Sequence, residues 1–90
     1  MSGGRSVVLY GRPDCHLCEE ARALLGRLAP EYGFDVREVD ITADRDAYLR
    51  YWSLIPVVVV GESEIPAALD EHRVRSVLDW ELRDGVERGA

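Results

Sequence analysis

Residues 11–25 read GRPDCHLCEEARALL and place two cysteines, Cys15 and Cys18, where an apolar run gives way to a helical pattern. The β-branched run before them, residues 6–10, is stopped by glycine and proline and predicts a short buried strand. Behind them, apolar residues recur with the spacing of an amphipathic helix at Ala21, Leu24, Leu25 and Leu28. The cysteine pair is therefore predicted to lie at the N-terminus of that helix.

The rest of the chain continues the alternation of strands and helices. Pro30 and Gly33 are expected to close the first helix. The later elements are predicted as an edge strand over residues 34–41, a short helix over 44–52, a buried strand over 55–60, a short strand around 64–66 after a hairpin turn, and a last helix capped by Asp70 with Val74, Val77, Leu78 and Leu82 as its apolar face. The order βαβαββα predicts an α/β fold with a four-stranded mixed sheet and helices on both faces. We expect one domain over residues 1–90, with an ordered core over about 6–84 and a fraying tail after Asp84.

Composition narrows the possible partners. The 17 acidic residues outnumber the 11 basic ones, all of them arginine, and the net charge is −6. This balance argues against binding nucleic acid or an anionic membrane, since both require a basic surface. The longest apolar stretch, residues 55–60, is far too short to span a bilayer, and the first ten residues lack a signal-peptide pattern. We therefore expect a cytoplasmic protein. Separately, we expect it to be a monomer.

The spacing of the two cysteines suits reversible disulfide chemistry. Side chains three residues apart share one helix face, and a modest adjustment brings them within disulfide reach. The free N–H groups and the positive dipole end of the helix stabilise a thiolate there. Cys15, nearer the end, is the predicted nucleophile, and Cys18 the thiol that resolves the mixed disulfide. Arg12 can add positive charge.

Other readings stay open for these residues. The cysteine pair can also be half of a metal site or a non-catalytic pair, although zinc normally takes four ligands and no metal is expected here. His16 either tunes the thiolate or is a solvated turn residue, and Arg12 either contacts substrate or pairs with Asp14. The aromatic residues of the second helix are predicted to pack rather than to form a binding surface: Tyr48, Tyr51 and Trp52. Trp80 lies off the apolar face of the last helix, so partial exposure is expected.

The segments VVLYG, RPDCHLC and LIPVVVV, with the helix from Asp70, resemble the glutaredoxin-like branch of the thioredoxin superfamily. The motif C-H-L-C-E-E-A is similar to that of small glutaredoxin-like proteins. The resemblance implies a thioredoxin/glutaredoxin fold and a thiol–disulfide oxidoreductase in which Cys15 attacks and Cys18 resolves. It also implies that Pro56 is a cis-proline facing the disulfide and that Arg12 contacts a glutathione carboxylate.

The chain departs from the glutaredoxin pattern at several positions. The usual Gly-Gly pair falls on Pro66-Ala67, and the acidic position after it on Leu69, one residue before Asp70. His16-Leu17 replaces the usual Pro-Tyr between the cysteines. The resemblance implies a substrate or glutathione site formed by Arg12, His16, Ile55, Pro56 and Asp70.

The expected partners follow from the same resemblance. Glutathione is the expected co-substrate, with no tightly bound cofactor. The expected substrates are a disulfide-containing protein or a glutathione mixed disulfide, and a reductase is a possible electron donor. The alternatives are a thioredoxin-like reductant independent of glutathione, and a non-catalytic binding or iron–sulfur carrier module of the same fold.

Overall fold

The computed structural model describes residues 5–82. Its elements are β1 Arg5–Gly11, α1 His16–Tyr32, β2 Phe34–Asp40, a 3₁₀ turn Ile41–Ala43, α2 Arg45–Tyr51, β3 Val57–Val60, β4 Ser63–Ile65 and α3 Glu71–Leu82. The predicted order βαβαββα is confirmed, with the 3₁₀ turn in place of the expected end of the second strand. The predicted tail after Asp84, and the last two residues of the predicted core, lie outside the described residues.

The four strands form one mixed sheet in the order β2-β1-β3-β4. Strand β1 pairs parallel with β2 and antiparallel with β3, and β3 pairs antiparallel with β4. The crossover through α1 leaves β2 at the edge, as its mixed apolar and charged sequence predicts. Tyr10 pairs with Val57, so the residue before β3, Pro56, lies beside Gly11 at the end of β1.

Helices cover both faces of the sheet, as predicted. Because side chains alternate along a strand, Leu9 and Val58 face α1 and α3, while Tyr10 and Val57 face α2. The larger cluster is made of the buried residues Val7, Leu9, Ala21, Leu24, Leu25, Leu28, Phe34, Val58, Val60, Ile65, Ala68, Val74 and Leu78. The smaller cluster contains Ile41, Ala47, Tyr51 and Val57.

Helix α1 buries its predicted apolar stripe and ends at Gly33, as predicted, but Pro30 does not help to end it. Pro30 lies inside the helix rather than at its end. It removes only the hydrogen bond that residue 30 would donate to the Gly26 carbonyl, and the last turn is retained. Tyr32 in that turn donates a hydrogen bond to Asp79 of α3 at 2.8 Å. Gly33 ends the helix in the left-handed region, with φ of 75°.

Helix α2 corrects one prediction. Tyr51 is buried at 3% exposure, but Tyr48 and Trp52 are 45% and 59% exposed, so their predicted packing is wrong. A seven-residue helix lying on a sheet buries a single stripe, here Ala47 and Tyr51 four residues apart. Tyr48 and Trp52 each follow a stripe residue by one position and therefore face away from the sheet.

Ion pairs fasten α3 to α1. Arg75 bonds both Glu31 of α1 and Glu71 of its own helix, and Arg27 of α1 reaches Glu71 at 2.8 Å. The Arg75 guanidinium lowers the pKa of both carboxyl groups, chiefly through its hydrogen bonds. The predicted apolar face of α3 is confirmed, and Trp80, off that face, is exposed.

Candidate active site

Cys15 and Cys18 form a disulfide at the start of α1, with their Cα atoms 5.2 Å apart. Cys15 is the N-cap residue, and its Sγ accepts a hydrogen bond from the Cys18 backbone N–H at 3.1 Å. A helix N-terminus with a donor directed at sulfur is the environment that stabilises a thiolate. Cys15 is partly exposed, whereas Cys18 is 1% exposed. Cys15 is therefore the more accessible residue of the pair.

Gly11 makes room for the Cys18 side chain. A Cβ on Gly11 would lie 3.0 Å from the Cys18 Sγ and 3.2 Å from its Cβ, both closer than ordinary van der Waals contact. The strand can therefore approach the sulfur this closely only because residue 11 has no side chain. Gly11 thus makes space for Cys18. The sequence alone marks Gly11 only as the end of a strand.

The Ile55–Pro56 peptide bond is cis, as the resemblance implies, and Pro56 is buried. The strand register places it beside Gly11, next to the cysteine loop. The backbone N–H of Ile55 donates to the Tyr51 carbonyl at 3.1 Å. This amide is therefore already hydrogen-bonded to the end of α2. The Ile55 carbonyl is the backbone group left to bind an incoming chain.

The loop between β4 and α3 is fastened to the cis-proline segment. The N–H of Ala67 donates to the Leu54 carbonyl at 3.0 Å, and that of Ala68 to the Pro56 carbonyl at 2.9 Å. Ala67 has a φ of 49°, in the left-handed region that favours glycine. The position where glutaredoxins carry the second glycine thus keeps a glycine-like backbone despite its side chain.

Arg12 and His16 lie on either side of Cys15 and turn toward other partners. The Arg12 guanidinium donates to the Pro13 carbonyl at 3.3 Å rather than to Asp14, and the side chain is exposed. The His16 Nε2 lies 2.9 Å from a Glu20 carboxylate oxygen, and the imidazole is 81% exposed. This position suits the solvated alternative for His16, whereas Arg12 remains accessible to a substrate.

Asp70 caps α3. Its carboxylate accepts hydrogen bonds from the N–H groups of His72 and Arg73, at 3.0 and 3.4 Å. The N-cap role predicted from the sequence is confirmed. An amine of a bound ligand would have to share this carboxylate with the two backbone donors.

Sequence reasoning missed a surface cavity of about 230 Å³ beside the disulfide. Its lining includes Arg12, Cys18, Arg22, Glu38 and Asp40. Arg22 comes four residues after Cys18, and this helical spacing could have indicated that the two side chains share one face of α1. Glu38 comes from β2, and only the parallel crossover brings it to α1. The Arg22 Nε donates to Glu38 at 2.8 Å, and this bond raises the pKa of the guanidinium.

The geometry has a counterpart in known proteins. The family model of the glutaredoxin-like domain (DUF836) matches residues 6–82. The chain belongs to this family. Its CxxC pair at a helix N-terminus indicates thiol redox chemistry for this glutaredoxin-like domain. No curated protein gives a significant sequence match.

Solved structures of thioredoxin-fold proteins resemble this glutaredoxin-like domain. The X-ray structure of structural-genomics target XcR50 from X. campestris is 29% identical, with a TM-score of 0.71, over 82% of this chain and 96% of that one. Glutaredoxin from Brucella melitensis is 24% identical, with a TM-score of 0.65, over 94% and 97% of the two chains. NrdH-redoxin from Escherichia coli, a glutaredoxin-like protein whose structure is described with a thioredoxin-like activity profile, is 20% identical, with a TM-score of 0.60, over 80% and 93%. These similarities show that the fold is the thioredoxin fold.

Residues 5–82 contain neither a membrane-spanning helix nor a metal-binding cluster. None of the helices in this range is long and apolar enough to cross a membrane. The same residues contain no group of three or more His, Cys, Asp or Glu side chains placed to hold a metal ion.

Proposed function

We propose that this glutaredoxin-like domain is a thiol–disulfide oxidoreductase with Cys15 as nucleophile and Cys18 as resolving thiol. The Cys15 thiolate attacks one sulfur of a substrate disulfide, forming a mixed disulfide and releasing the other sulfur as a thiolate. Cys18 loses its proton and attacks the Cys15 sulfur, which releases the second substrate sulfur as a thiolate. The substrate disulfide has then gained two electrons, and Cys15 and Cys18 are joined as a disulfide. The observation that carries this proposal is the partly exposed Cys15 sulfur at a helix N-terminus, with Cys18 buried one turn behind it.

We propose glutathione as the electron donor that returns the pair to the dithiol. The exposed guanidinium of Arg12 lies three residues before Cys15, where it can pair with a glutathione carboxylate. On the other side, Pro56 lies beside Gly11, and the loop that contains the glycine-like backbone of Ala67 is hydrogen-bonded to the segment around Pro56. Ile55 offers its carbonyl to a peptide, and Asp70 at the start of α3 offers a carboxylate to an amine. His16 is the weakest of the proposed contacts, because its imidazole faces Glu20.

A thioredoxin-like reductant of proteins is the second candidate, and exposed apolar side chains favour it. Leu17 stands between the two cysteines and is 46% exposed, and Leu54, two residues before Pro56, is 43% exposed. Exposed leucines between the two cysteines and just before the cis-proline suit a protein surface better than a small charged tripeptide. In this case a reductase would supply the electrons.

One assay separates the two candidates. Reduction of a glutathione mixed disulfide by glutathione is measured for the wild type, Cys15→Ser and Cys18→Ser, in parallel with insulin reduction driven by a thioredoxin reductase. The glutathione proposal predicts glutathione-dependent turnover that Cys15→Ser abolishes. Turnover only with the reductase would support the second candidate, and turnover in neither arm would contradict the proposed activity.

Arg12 provides a finer test of the glutathione site. Arg12→Gln removes one exposed charge-assisted contact, worth about 1 kcal/mol, so kcat/KM for the glutathione mixed disulfide should fall about fivefold. Arg37→Gln is the matched control, because Arg37 is an exposed arginine in the middle of edge strand β2. Equal values for Arg12→Gln and Arg37→Gln would remove Arg12 from the site.

A further inference from the structure

We propose that Arg22 stabilises the thiolate of Cys18 when this sulfur attacks the mixed disulfide at Cys15, and that Glu38 holds Arg22 in place for this role. The inference rests on the oxidoreductase function proposed above. It assigns a role to the cavity beside Cys18, which the chemistry at Cys15 does not use.

The surroundings of Cys18 favour a thiolate less than those of Cys15. The Cys15 sulfur accepts a hydrogen bond at the helix end, but Cys18 is 1% exposed and packs against Gly11. Burial disfavours a thiolate over a thiol. A resolving thiol must nevertheless be deprotonated before it can attack. Cys18 therefore needs a nearby positive charge and a route for its proton.

The cavity beside Cys18 offers both a positive charge and a route by which the proton can leave. It lies on the β2 side of β1, whereas Pro56 lies on the β3 side, so a substrate held at Cys15 and Pro56 meets this cavity only at its Arg12 rim. Cys18 and Arg22 are four residues apart on one face of α1 and line the same cavity, so the guanidinium and the sulfur border one shared space. The Glu38 bond engages Nε of Arg22 at 2.8 Å and fixes its direction across the gap between α1 and β2.

Charged groups other than Arg22 and Glu38 also lie near the cavity. Arg12 adds a positive charge from the loop, and Glu19 on α1 interacts with Arg22. Asp40 on β2 accepts hydrogen bonds from the backbone and hydroxyl of Thr42, at 2.8 and 2.6 Å, which directs its carboxylate toward the 3₁₀ turn. Arg22 is the one of these cavity charges that shares the helix face of Cys18.

The resolving step forms one S–S bond and breaks another. The Cys18 thiol gives its proton to water in the cavity, and its thiolate attacks the Cys15 sulfur. The Cys15–Cys18 bond forms, the bond from Cys15 to the substrate sulfur breaks, and the substrate leaves as a thiolate. Across both steps the cysteine pair loses two electrons and the substrate disulfide gains them.

An aromatic disulfide, 5,5′-dithiobis(2-nitrobenzoate), measures the two steps separately. Attack by Cys15 releases a first coloured thiolate, and attack by Cys18 releases the second, so the rate of the second release is recorded against pH. A unit charge at about 6 Å and an effective dielectric constant near 40 stabilises the thiolate enough to lower its pH midpoint by about one unit. Arg22→Gln should therefore raise the midpoint of the second release by about one pH unit.

The direction of the rate change distinguishes charge from structure. Below the midpoint, Arg22→Gln has about tenfold less thiolate, but the more basic thiolate is about threefold more reactive, so the second release should be about threefold slower. Well above the midpoint it should be about threefold faster, because only the reactivity gain remains. A distorted site would be slower at every pH.

Three further variants complete the experiment. Arg22→Lys keeps the charge and should stay close to wild type. Glu38→Gln keeps an oxygen that can accept the Arg22 hydrogen bond, so Arg22 stays in place, but it removes an opposing charge and should lower the midpoint. Arg27→Gln, which breaks a 2.8 Å ion pair elsewhere on α1, should leave the second release unchanged. Equal slowing by Arg22→Gln and Glu38→Gln, or no change of midpoint in Arg22→Gln, would overturn the role of Arg22. Absence of the first release in the wild type would instead contradict the proposed oxidoreductase function.

Discussion

Gly11→Ala should destabilise the protein through a contact with Cys18. The added Cβ would lie 3.0 Å from the Cys18 Sγ, at least 0.5 Å inside the usual contact distance of about 3.5–4.0 Å. Overpacking of this kind costs about 1–3 kcal/mol, and the removal of a strand glycine returns about 0.5–1 kcal/mol. The net loss of roughly 0–2.5 kcal/mol is about 1 kcal/mol near mid-range, which should lower the Tm of a domain this size by about 4–8 °C.

The same substitution should act more strongly on the disulfide form. In the dithiol, Cys18 can change rotamer and move its sulfur away from position 11, whereas the bond to Cys15 fixes it in the disulfide. If the disulfide form loses about 1 kcal/mol more, the reduction potential of the pair rises by about 20 mV. The assay is thermal unfolding of both redox forms, together with equilibration of the pair against a glutathione redox buffer.

Gly26→Ala is the matched control. A Cβ on Gly26 meets nothing within 4 Å, and the residue is exposed inside α1. Alanine should therefore stabilise this helix by about 1 kcal/mol and leave the potential unchanged. A Tm of Gly11→Ala at or above that of the wild type, or equal destabilisation of its two redox forms, would refute the reasoning.

Three other substitutions test the packing and the charge network. Tyr51→Phe removes the 2.9 Å hydrogen bond from the Tyr51 hydroxyl to Glu64 and should reduce the free energy of unfolding by about 1 kcal/mol in urea titrations, so an unchanged midpoint would contradict it. Arg75→Gln should destabilise the protein at pH 7 but not in acid. The Arg75 guanidinium lowers the pKa of Glu31. The resulting contribution to stability is fully present above the ordinary Glu pKa of about 4.3 and is lost as the pH falls through the lowered pKa. A difference from wild type that stays constant down to low pH would contradict this account. Asp70→Ala should lose about 1 kcal/mol of capping energy, which Asp70→Ser should largely restore in the same titrations.

The order of strands and helices could be predicted because each element carries its own local signal. The stripe from Ala21 to Leu28 is buried as its spacing predicts, and Gly33 adopts the left-handed cap expected of glycine. The errors lie where the tertiary context decides. Pro30 sits in a helix that packing extends past it, and the short α2 turns Trp52 to solvent because the sheet accepts only one stripe.

The two cysteines of the candidate site could be found from sequence because three residues and a helix end define their geometry. The cis bond at Pro56 was implied only by the resemblance, because most prolines are trans. The Arg22–Glu38 pair and the close approach of Gly11 to Cys18 could not be found, because each joins segments that only the folded sheet brings together.

Trapping of the mixed disulfide tests the central claim most directly. Cys18→Ser is incubated with oxidised glutathione or a disulfide-bonded peptide, quenched in acid, and analysed by intact mass and peptide mapping. The mechanism predicts one adduct per chain, located on Cys15 and released by a reductant, and no adduct on Cys15→Ser because the buried Cys18 is inaccessible. An adduct that forms equally on Cys15→Ser, or none on Cys18→Ser, would contradict the assignment of Cys15 as the nucleophile.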